Sequence, residues 1–537
     1  MRVDRLPDAM IAGVPLIVGV TGHRTLPAGD EAAAKVAFGA LLEKLDADYP
    51  HTSPVVLSAL ASGADLFAAE EAIARGVAVV ACIPISLDAY ERDFDPSALA
   101  RFRAALAACA RVEIVPASDR LAGYVAVGMH VARTSHVLVA FWDGRPSRGP
   151  GGTADVVRAR LTGMAQQREG LADIPHVPDI GPVAQIVTAR AGEPRPAGAF
   201  TLRWIHPRRF HRDASAERDF WTALDRLDRY NADLATHPPK DRARNPLEAL
   251  ADRTDAAANA LQRRTAGFLM TLYVFAFVAA FAQIVFGSEP LKLATLGLAF
   301  LAYLFVRRND FENRYQDYRA IAEGLRVQIA WNDAGLAGET VEPHYLRTQQ
   351  GELQWIRMAL RAACEWYDPG DAPVDQKRAI AWVRGQWRYF YRGARRDGAR
   401  AKRYGLLARV AVGIGAAGAA ALTVALLPQV QRAFGWAPDA AAIGQLKHWS
   451  AALAALAATF AALVANYAEK RSYALNARRF DRMFVVFDRA RLRINAVLRG
   501  GPGSVPAIVG EIGREALVEQ ADWLLIRRDR PVSFVQS

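Results

Sequence analysis

Short apolar runs alternate with alanine-rich amphipathic segments from Leu16 to about Gly192. Each run has the length and β-branched content of a buried strand, and most intervening segments have the length of a helix. This alternation predicts βαβ units and a mostly parallel sheet. The predicted strands are PLIVGV, PVVLSAL, VAVVACIP, RVEIV, SHVLVAF and, closing the sheet, PVAQIVTAR. We therefore expect an α/β, Rossmann-like, doubly wound N-terminal domain over residues 1–192.

A stretch rich in proline, arginine and histidine follows over residues 193–250. It contains one amphipathic segment, in which Phe220, Leu224, Leu227 and Tyr230 share one helical face. We interpret this stretch as a connector that carries a single helix.

Four long apolar runs dominate the rest of the chain. The first, Thr265 to Phe286, contains 22 residues without a charge, and at ~1.5 Å of helical rise per residue it spans the ~30 Å hydrocarbon core of a bilayer. The second, Leu291 to Val306, returns after only GSEP. The runs from Leu406 to Leu427 and from Trp449 to Ala468 repeat this arrangement. The pattern predicts an all-α membrane region with four transmembrane helices in two hairpins.

The alternative is that these runs are buried core helices of a large soluble protein. Small residues in the second hairpin argue against it, because Gly415 and Ala419, and likewise Ala454, Ala458 and Ala462, recur every four residues. This spacing lets helices approach closely in lipid, where packing replaces the hydrophobic driving force.

A charged amphipathic helix is predicted after each hairpin. The two apolar stripes consist of Tyr315, Tyr318, Ala322, Leu325 and Ile329, and of Tyr473, Phe480, Phe484 and Phe487. Such helices offer seams for assembly into a homo-oligomer or for contact with the N-terminal domain. A simple intracellular bundle is the alternative.

The net charge of +12 is compatible with nucleic-acid binding, but basic residues concentrate beside the apolar runs, as in RGARRDGARAKR. Membrane flanks explain this distribution better than nucleic acid does. Arginines and lysines cluster on one side of the four runs, at residues 263, 264, 307, 308, 400, 402, 403, 470 and 471, whereas the opposite loops carry only Lys292, Arg432 and Lys447. The positive-inside rule then places both termini and the middle segment in the cytoplasm. The N-terminal sequence leads into a first strand and does not have the pattern of a signal peptide.

Three cysteines, Cys82, Cys109 and Cys364, have no CxxC spacing. Their number and spacing favour neither a disulfide framework nor a zinc site. We therefore expect no metal and a reducing compartment for the polar parts of the chain.

Three loops at the predicted strand ends have the chemistry of an anion site. The first loop holds Thr21, Gly22, His23 and Arg24, the second Ser62, Gly63 and Asp65, and the third Gly151, Gly152, Thr153 and Asp155, with Asp143 just after the preceding strand. Glycines allow a phosphate to approach the backbone, and Thr153 can cap a helix or donate to an oxygen. A cation directly after the first strand has little structural purpose, so Arg24 is the most informative residue.

Structural roles are the alternatives at these positions. Gly63 and Gly152 are suited to tight turns, His23 to a surface position without function, and Asp65 and Asp143 to capping helices and turns as well as to binding ribose hydroxyls.

Three segments carry a family resemblance over residues from about Val14 to Gly192: VTGHR, SALASGADLFAAEEA, and LVAFWDG with GPGGTADVV. In these segments the chain resembles the SLOG superfamily, the Rossmann-like group that includes the LOG phosphoribohydrolases. The two hairpins resemble SLATT modules, two-transmembrane effectors found beside SLOG domains and nucleotide synthases in bacterial conflict systems, over residues 251–370 and 371–537. The closing EQADWLLIRRDRPVSF resembles the end of such a module.

The resemblance implies a multi-pass protein of the bacterial inner membrane that binds a nucleotide-derived ligand, needs no other cofactor, and responds by pore formation or membrane disruption in antiphage defence. LOG enzymes carry PGGxGTxxE, in which the glutamate serves hydrolysis, but Val156 stands three residues after Thr153 here. Binding is therefore favoured over catalysis. A membrane-tethered nucleotide N-glycosidic hydrolase using Asp65, Asp143 or Asp155 is one alternative, and a ligand-gated ion channel is another.

Overall fold

The structure is a computed structural model that describes residues 13–163, 180–239, 243–336, 338–346, 351–367, 373–436 and 438–528. Seven strands form one sheet: β1 (Leu16–Gly22), β2 (Pro54–Ser58), β3 (Ala78–Ile83), β4 (Arg111–Ile114), β5 (Val137–Trp142), β6 (Val183–Val187) and β7 (Leu202–Ile205). Their order is β4-β3-β2-β1-β5-β6-β7. All neighbouring strands are parallel except β7, which is antiparallel to β6. The predicted Rossmann-like sheet is confirmed.

Helices connect and flank these strands. They are α1 (Asp30–Asp48), α2 (Ala64–Ala74), α3 (Leu87–Glu91), α4 (Pro96–Ala108), α5 (Arg120–Thr134), α6 (Thr153–Thr162), α7 (Arg208–Arg212) and α8 (Ala214–Ala235). The connector interpretation did not include β7, a four-residue strand within residues 193–250 that is half-buried or exposed along its length. Such a short edge strand lacks the alternation that marks strands in a sequence.

The central strands form the core of this sheet. Val18 in β1, Val56 in β2 and Val139 in β5 are fully buried. Parallel strands buried on both faces read as continuous apolar runs, which is why these strands were recognisable from sequence. The chain progresses outward from β1 to β4 and then returns through α5 to β5 on the other side of β1. The sheet therefore has its topological switch point between β1 and β5.

The remaining helices make up the all-α part of the chain. They are α9 (Pro246–Phe286), α10 (Glu289–Asn309), α11 (Phe311–Asp333), α12 (Gln354–Trp366), α13 (Gln376–Ala425), α14 (Pro428–Ala433), α15 (Ala440–Lys470), α16 (Tyr473–Val497) and α17 (Val505–Arg528). Four stretches of the described chain are long and apolar enough to cross a membrane: Pro246–Phe286, Glu289–Asp333, Gln376–Ala425 and Ala440–Val497. They contain three of the four runs predicted from sequence in full and all but the last two residues of the run from Leu406 to Leu427.

Two compact units divide the chain. The sheet unit comprises Met1–Ala257, Asp317–Ile329 and Ala337–Ala372, and the span unit comprises Ala258–Gln316, Ala330–Leu336 and Pro373–Ser537. Helix α12, whose residues fall in the range 251–370 assigned to the first hairpin, belongs to the sheet unit, where Arg361 donates to the Arg133 carbonyl at 2.8 Å. This division groups the chain differently from the predicted domains, whose boundaries stay predictions.

Within the span unit, the helices of each predicted hairpin meet. Phe268 of α9 and Phe305 of α10 have ring centroids 5.4 Å apart, on either side of the turn at Gly287. In the second hairpin, a Cβ atom added to Gly415 of α13 would lie 3.0 Å from the Cβ of Ala457 in α15. The close helix approach expected at the small residues is confirmed at Gly415.

The aromatic stripe of α16 packs against α13. Phe480 and Phe487 lie with ring centroids 5.9 and 5.3 Å from that of Phe390. This stripe therefore packs within the chain, against α13, and its part in self-association stays a prediction. Beside it, the Tyr473 ring lies beneath the guanidinium groups of Arg400 and Arg471, at 5.7 and 5.9 Å.

Some predictions fall partly on residues outside the described ranges. They are the prediction about a signal peptide, which concerns the first twelve residues, the domain boundary at 370/371, and the last part of the closing EQADWLLIRRDRPVSF motif.

Candidate functional site

A cavity of about 420 Å³ lies in the sheet unit at the switch point, beyond the carboxyl ends of β1 and β5. Doubly wound sheets bind their ligands at this place, because the loops diverge there and helix N-termini face the opening. The volume falls within the range of small-molecule sites. Its wall is formed by the loop after β1, the start of α2, helix α5, the glycine loop before α6 and the loop after β6.

The loop after β1 contributes Thr21, Gly22, His23 and Arg24 to the wall. The backbone pairing of β1 with β5 continues into this loop, because the His23 amide donates to the Phe141 carbonyl of β5 at 3.2 Å. This pairing holds the Arg24 side chain at the cavity.

Gly63 makes the close approach of α2 to this loop possible. Its φ of +92° is a conformation that other residues rarely adopt, and an added Cβ would lie 2.3 Å from the Arg24 carbonyl oxygen. The next amide, of Ala64, donates to the His23 carbonyl at 3.0 Å. Gly63 thus shapes the site from behind the wall and does not itself line the cavity.

Asp65, in the first turn of α2, is the carboxylate on the cavity wall. Its Oδ1 atom is buried and has no hydrogen-bond partner. Burial raises the pKa of Asp65 to about 7, while the Arg24 charge and the Gly22 amide offset this effect only in part. Asp65 therefore exchanges a proton near neutral pH and can act as a donor or an acceptor towards a ligand.

The glycine loop places the N-terminus of α6 at the cavity. Gly151, with φ of +73°, and Gly152, the N-cap residue, line the wall together with Thr153. The N-cap residue is Gly152, so Thr153 does not have the capping role that its sequence position allowed, and the Ser147 hydroxyl accepts from the Asp155 amide in the first turn at 3.3 Å. The first amides of a helix have no carbonyl partner within it, and they favour an anion at this end.

His23 and Asp143 have structural partners. The Nε2 atom of His23 accepts from the Asp143 amide at 3.2 Å, and burial lowers the pKa of His23. The imidazole is therefore uncharged at neutral pH. It does not supply the positive charge for anion binding that its place beside Arg24 suggested. The Asp143 carboxylate is buried and pairs with the Arg190 guanidinium at 2.8 Å. Asp143 positions Arg190, which does line the cavity.

Arg24 rests on an aromatic ring from α5. Its guanidinium carbon lies 5.0 Å from the centroid of Tyr124, and the Tyr124 hydroxyl donates to Asp93. The ring restricts the exposed Arg24 side chain and adds a flat surface to the wall. This pair can hold a phosphate beside a planar group.

Eight of the twelve residues predicted from sequence line the cavity: Thr21, Gly22, His23, Arg24, Asp65, Gly151, Gly152 and Thr153. The other four do not. Gly63 and Asp143 support the wall from behind, as described above. Ser62 precedes α2 and is half-buried, and Asp155 lies 3.5 Å from Arg158 on α6.

Sequence reasoning missed Arg190, Arg148, Tyr90 and Tyr124, which also line the cavity. Arg190 follows the end of β6 as Arg24 follows β1, so the argument used for Arg24 also applies to it. Tyr124 gave no such signal, because it lies within the α5 segment, where no element was predicted.

Comparison of the chain with models of protein families and with curated proteins finds no match. The chemistry of the site therefore rests on its own residues. Among the described residues, three arginines (Arg24, Arg148 and Arg190), one helix N-terminus and one carboxylate that titrates near neutral pH surround the cavity. This set can bind a phosphate-bearing small molecule and form a hydrogen bond to its neutral part.

Proposed function

We propose that this protein is a membrane sensor-effector. In this proposal the sheet unit binds a nucleotide-derived signal, and the helices of the span unit respond by forming a pore or disrupting the membrane, in defence against phage. The observation that carries the proposal is the cation-lined cavity at the switch point of a chain that also has four candidate membrane spans.

The shape and charge of the cavity support a nucleotide-like ligand. A volume of about 420 Å³ accommodates a nucleotide and excludes a macromolecule. The phosphate would lie between Arg24 and the amides at the start of α6, as phosphates do at other helix N-termini. The base or ribose would contact Tyr124 and Asp65. Cyclic nucleotides and derivatives of ADP-ribose are the candidate ligands.

The exposure of apolar side chains supports a lipid-embedded span unit. Of the most apolar window in each candidate span, only 11 to 22% is buried within the protein. Large side chains such as Phe300 and Leu301 in α10 are exposed by 59 and 62%. A bilayer would cover them, with the basic flanks and both termini in the cytoplasm by the positive-inside rule. The resemblance to SLOG and SLATT modules supports the same arrangement in a bacterial inner membrane.

The response requires two states of the protein with different affinity for the ligand. A ligand that binds one packing of the helices more tightly than another shifts the population towards it. Assembly into a homo-oligomer would let several copies surround one pore, and the exposed faces of the candidate spans provide surface for it.

The binding half is tested by titrating the full chain, reconstituted in lipid nanodiscs, with AMP, cyclic AMP, cyclic GMP and ADP-ribose in a calorimeter. We expect one of these nucleotides to bind, and Arg24→Ala to weaken it about 10- to 100-fold through loss of a charge-assisted bond. Arg158→Ala is the matched control, because Arg158 lies on α6, is exposed and does not line the cavity. Equal loss in both variants would contradict the assignment of the site.

The response half is tested by dye release and conductance of liposomes that carry the full chain. The proposal expects release that depends on the bound nucleotide and is reduced by Arg24→Ala. A selective current instead of dye release would favour the ligand-gated channel. Binding without any change in permeability would refute the effector role while leaving the binding site in place.

Asp65 favours a second candidate, the membrane-tethered N-glycosidic hydrolase. A carboxyl group with a pKa of about 7 on the cavity wall is suited to protonate a departing base while water attacks the sugar. Asp143 is already paired with Arg190, and Asp155 does not line the cavity. Release of free base from nucleoside monophosphates by the full chain, abolished by Asp65→Asn, would establish this alternative. Our proposal expects no turnover.

A further inference from the structure

A second polar cluster lies in the sheet unit, away from the cavity. Cys82 of β3 and Glu113 of β4 are paired in the parallel ladder, so their side chains emerge on the same face of the sheet. His130 of α5 meets them there. The cysteine sulfur, one carboxylate oxygen and one imidazole nitrogen all lie within 4.8 Å of one another.

We propose that Cys82, Glu113 and His130 form a binding site for a divalent transition metal of the zinc class, with Glu365 as the fourth ligand. The donor set of one sulfur, one nitrogen and carboxylate oxygens is one that zinc accepts in tetrahedral sites. Glu365 of α12 places its Oε1 atom 3.5 Å from the Nε2 atom of His130. The site would join β3, β4, α5 and α12.

The imidazole nitrogen of His130 is held by ion-pair contacts with two carboxylates, of Glu113 and Glu365. Nε2 of His130 is buried and has no hydrogen-bond partner, although a Glu113 oxygen lies 3.0 Å from it. At that distance the two groups are in contact without the alignment of a hydrogen bond. A metal ion among the ligand atoms would use the Nε2 lone pair and both neighbouring carboxylates after small side-chain rotations.

The surroundings of the cluster hold the carboxylates in place. The Arg111 guanidinium donates to Glu113 and to Glu365, at 2.6 Å in each case. Hydrogen bonds of this kind to ligating carboxylates orient them and tune affinity for the metal. Cys82 is fully buried, so the site is closed to substrates and its role would be structural.

Charge balances when the metal binds. The ion forms bonds to the Cys82 sulfur and to the Nε2 atom of His130, and the thiol proton and the imidazolium proton leave to solvent. Two protons are exchanged for one divalent ion, so the net charge of the cluster does not change. Spacing along the sequence could not reveal this site, because its ligands come from four separate elements, and the sequence-based expectation of no metal was drawn from cysteine spacing alone.

The test uses the full chain in nanodiscs, stripped with a chelator and titrated with Co²⁺ and then Zn²⁺. We expect a thiolate-to-cobalt charge-transfer band that saturates at one Co²⁺ per chain and disappears when Zn²⁺ displaces the cobalt. This measurement on the unaltered protein reports sulfur ligation directly and does not depend on the folding of any variant. Absence of the band at one equivalent of Co²⁺ would overturn the proposal and leave the cluster as a network of ion pairs.

Variants then assign the ligands. Cys82→Ser and His130→Gln should each weaken zinc binding more than tenfold, and Arg111→Gln should weaken it about 10- to 100-fold through the carboxylates it orients. Cys364→Ser is the matched control, because Cys364 is also a buried cysteine, but its sulfur donates to Gln328 and lies outside the cluster. A cobalt band that survives Cys82→Ser would show that another thiol binds the ion and would refute the proposed site.

Discussion

The central strands of the sheet unit bury their large apolar side chains, whereas the candidate spans of the span unit expose many of theirs. Leu138 and Val139 of β5 are 0% exposed, but Leu298 and Leu301 of α10 are 53 and 62% exposed. Apolar surface is stable only when it is removed from water. The protein itself provides the cover in the first unit, and in our proposal lipid provides it in the second. The same residue types therefore have different energetic roles in the two units.

The largest expected difference comes from truncating one leucine in each unit. Leu138→Ala should lower the free energy of unfolding of the sheet unit by about 2 to 5 kcal/mol, because it leaves a cavity in a packed core. Leu301→Ala should change the stability of α10 by no more than about 0.5 kcal/mol, because lipid fills the space. Hydrogen exchange of the full chain in nanodiscs, read separately for β5 and α10, measures both effects.

The exchange data also test the comparison itself. A cost at Leu301 as large as that at Leu138 would mean that protein, and not lipid, covers α10. Transfer of the chain to buffer without lipid or detergent serves as a control, since exposed spans should drive the chain out of solution there.

Packing between helices provides the next largest effect. Gly415→Leu should destabilise the contact of α13 with α15 by about 1 to 3 kcal/mol through overpacking, because an added Cβ already lies 3.0 Å from Ala457. Gly413→Leu is the control on the same helix, where an added Cβ meets nothing within 4 Å. Both variants gain similar helix propensity, so the difference between them isolates the contact. Faster exchange in α13 and α15 for Gly415→Leu alone is the expected result.

The fold was predictable wherever burial leaves a periodic or continuous pattern. Strands such as β1 and β5 are buried on both faces and were recognised as apolar runs. The segment of α5 was not recognised, although Asp119 caps it by accepting from the Ala122 amide at 2.9 Å. Only the first two residues of α5 are exposed, so this helix has no wide polar face and its periodicity is weak.

The parts of the candidate site that lie in loops directly after strands were predictable from sequence. Arg24 and Gly151 were found because the carboxyl ends of parallel strands meet at one edge. The role of Asp143 was not predictable, because its pairing with Arg190 joins residues 47 positions apart. The cluster of Cys82, Glu113 and His130 was not predictable for the same reason.

A smaller effect concerns the titration of Asp65, which couples the cavity of the sheet unit to pH. Burial raises the pKa of Asp65 to about 7, so the carboxyl group is neutral below this pH and negatively charged above it. Affinity for a phosphate-bearing ligand should therefore fall as pH rises from 6 to 8, by up to about tenfold. Calorimetry with the tightest-binding nucleotide of the panel measures this profile.

Asp65→Asn is the control for this pH profile, because it removes the titration with little change in shape. The second ionisation of a phosphate, near pH 6, and the low pKa of His23 affect both proteins alike. The ratio of their affinities should therefore follow Asp65 alone. Identical profiles in the two proteins would show that Asp65 does not face the bound ligand.

The smallest effect comes from an arginine–tyrosine contact that both units contain. In the sheet unit Arg24 lies over Tyr124, and in the span unit Arg400 lies over Tyr473. Such a contact contributes about 0.5 to 1 kcal/mol at exposed sites. Tyr124→Leu should therefore weaken nucleotide binding about two- to fivefold by releasing Arg24, whereas Tyr124→Phe, which keeps the ring, should not.

Tyr473→Leu tests the arginine–tyrosine contact of the span unit separately from that of the sheet unit. Tyr473 lies beside arginines that flank a candidate span, where tyrosine and arginine anchor helices at the membrane surface. Its loss should leave nucleotide affinity unchanged and speed hydrogen exchange at the start of α16. If Tyr473→Leu instead weakened nucleotide binding as much as Tyr124→Leu does, the Tyr473 contact would be energetically coupled to the ligand site and would not have a purely local role.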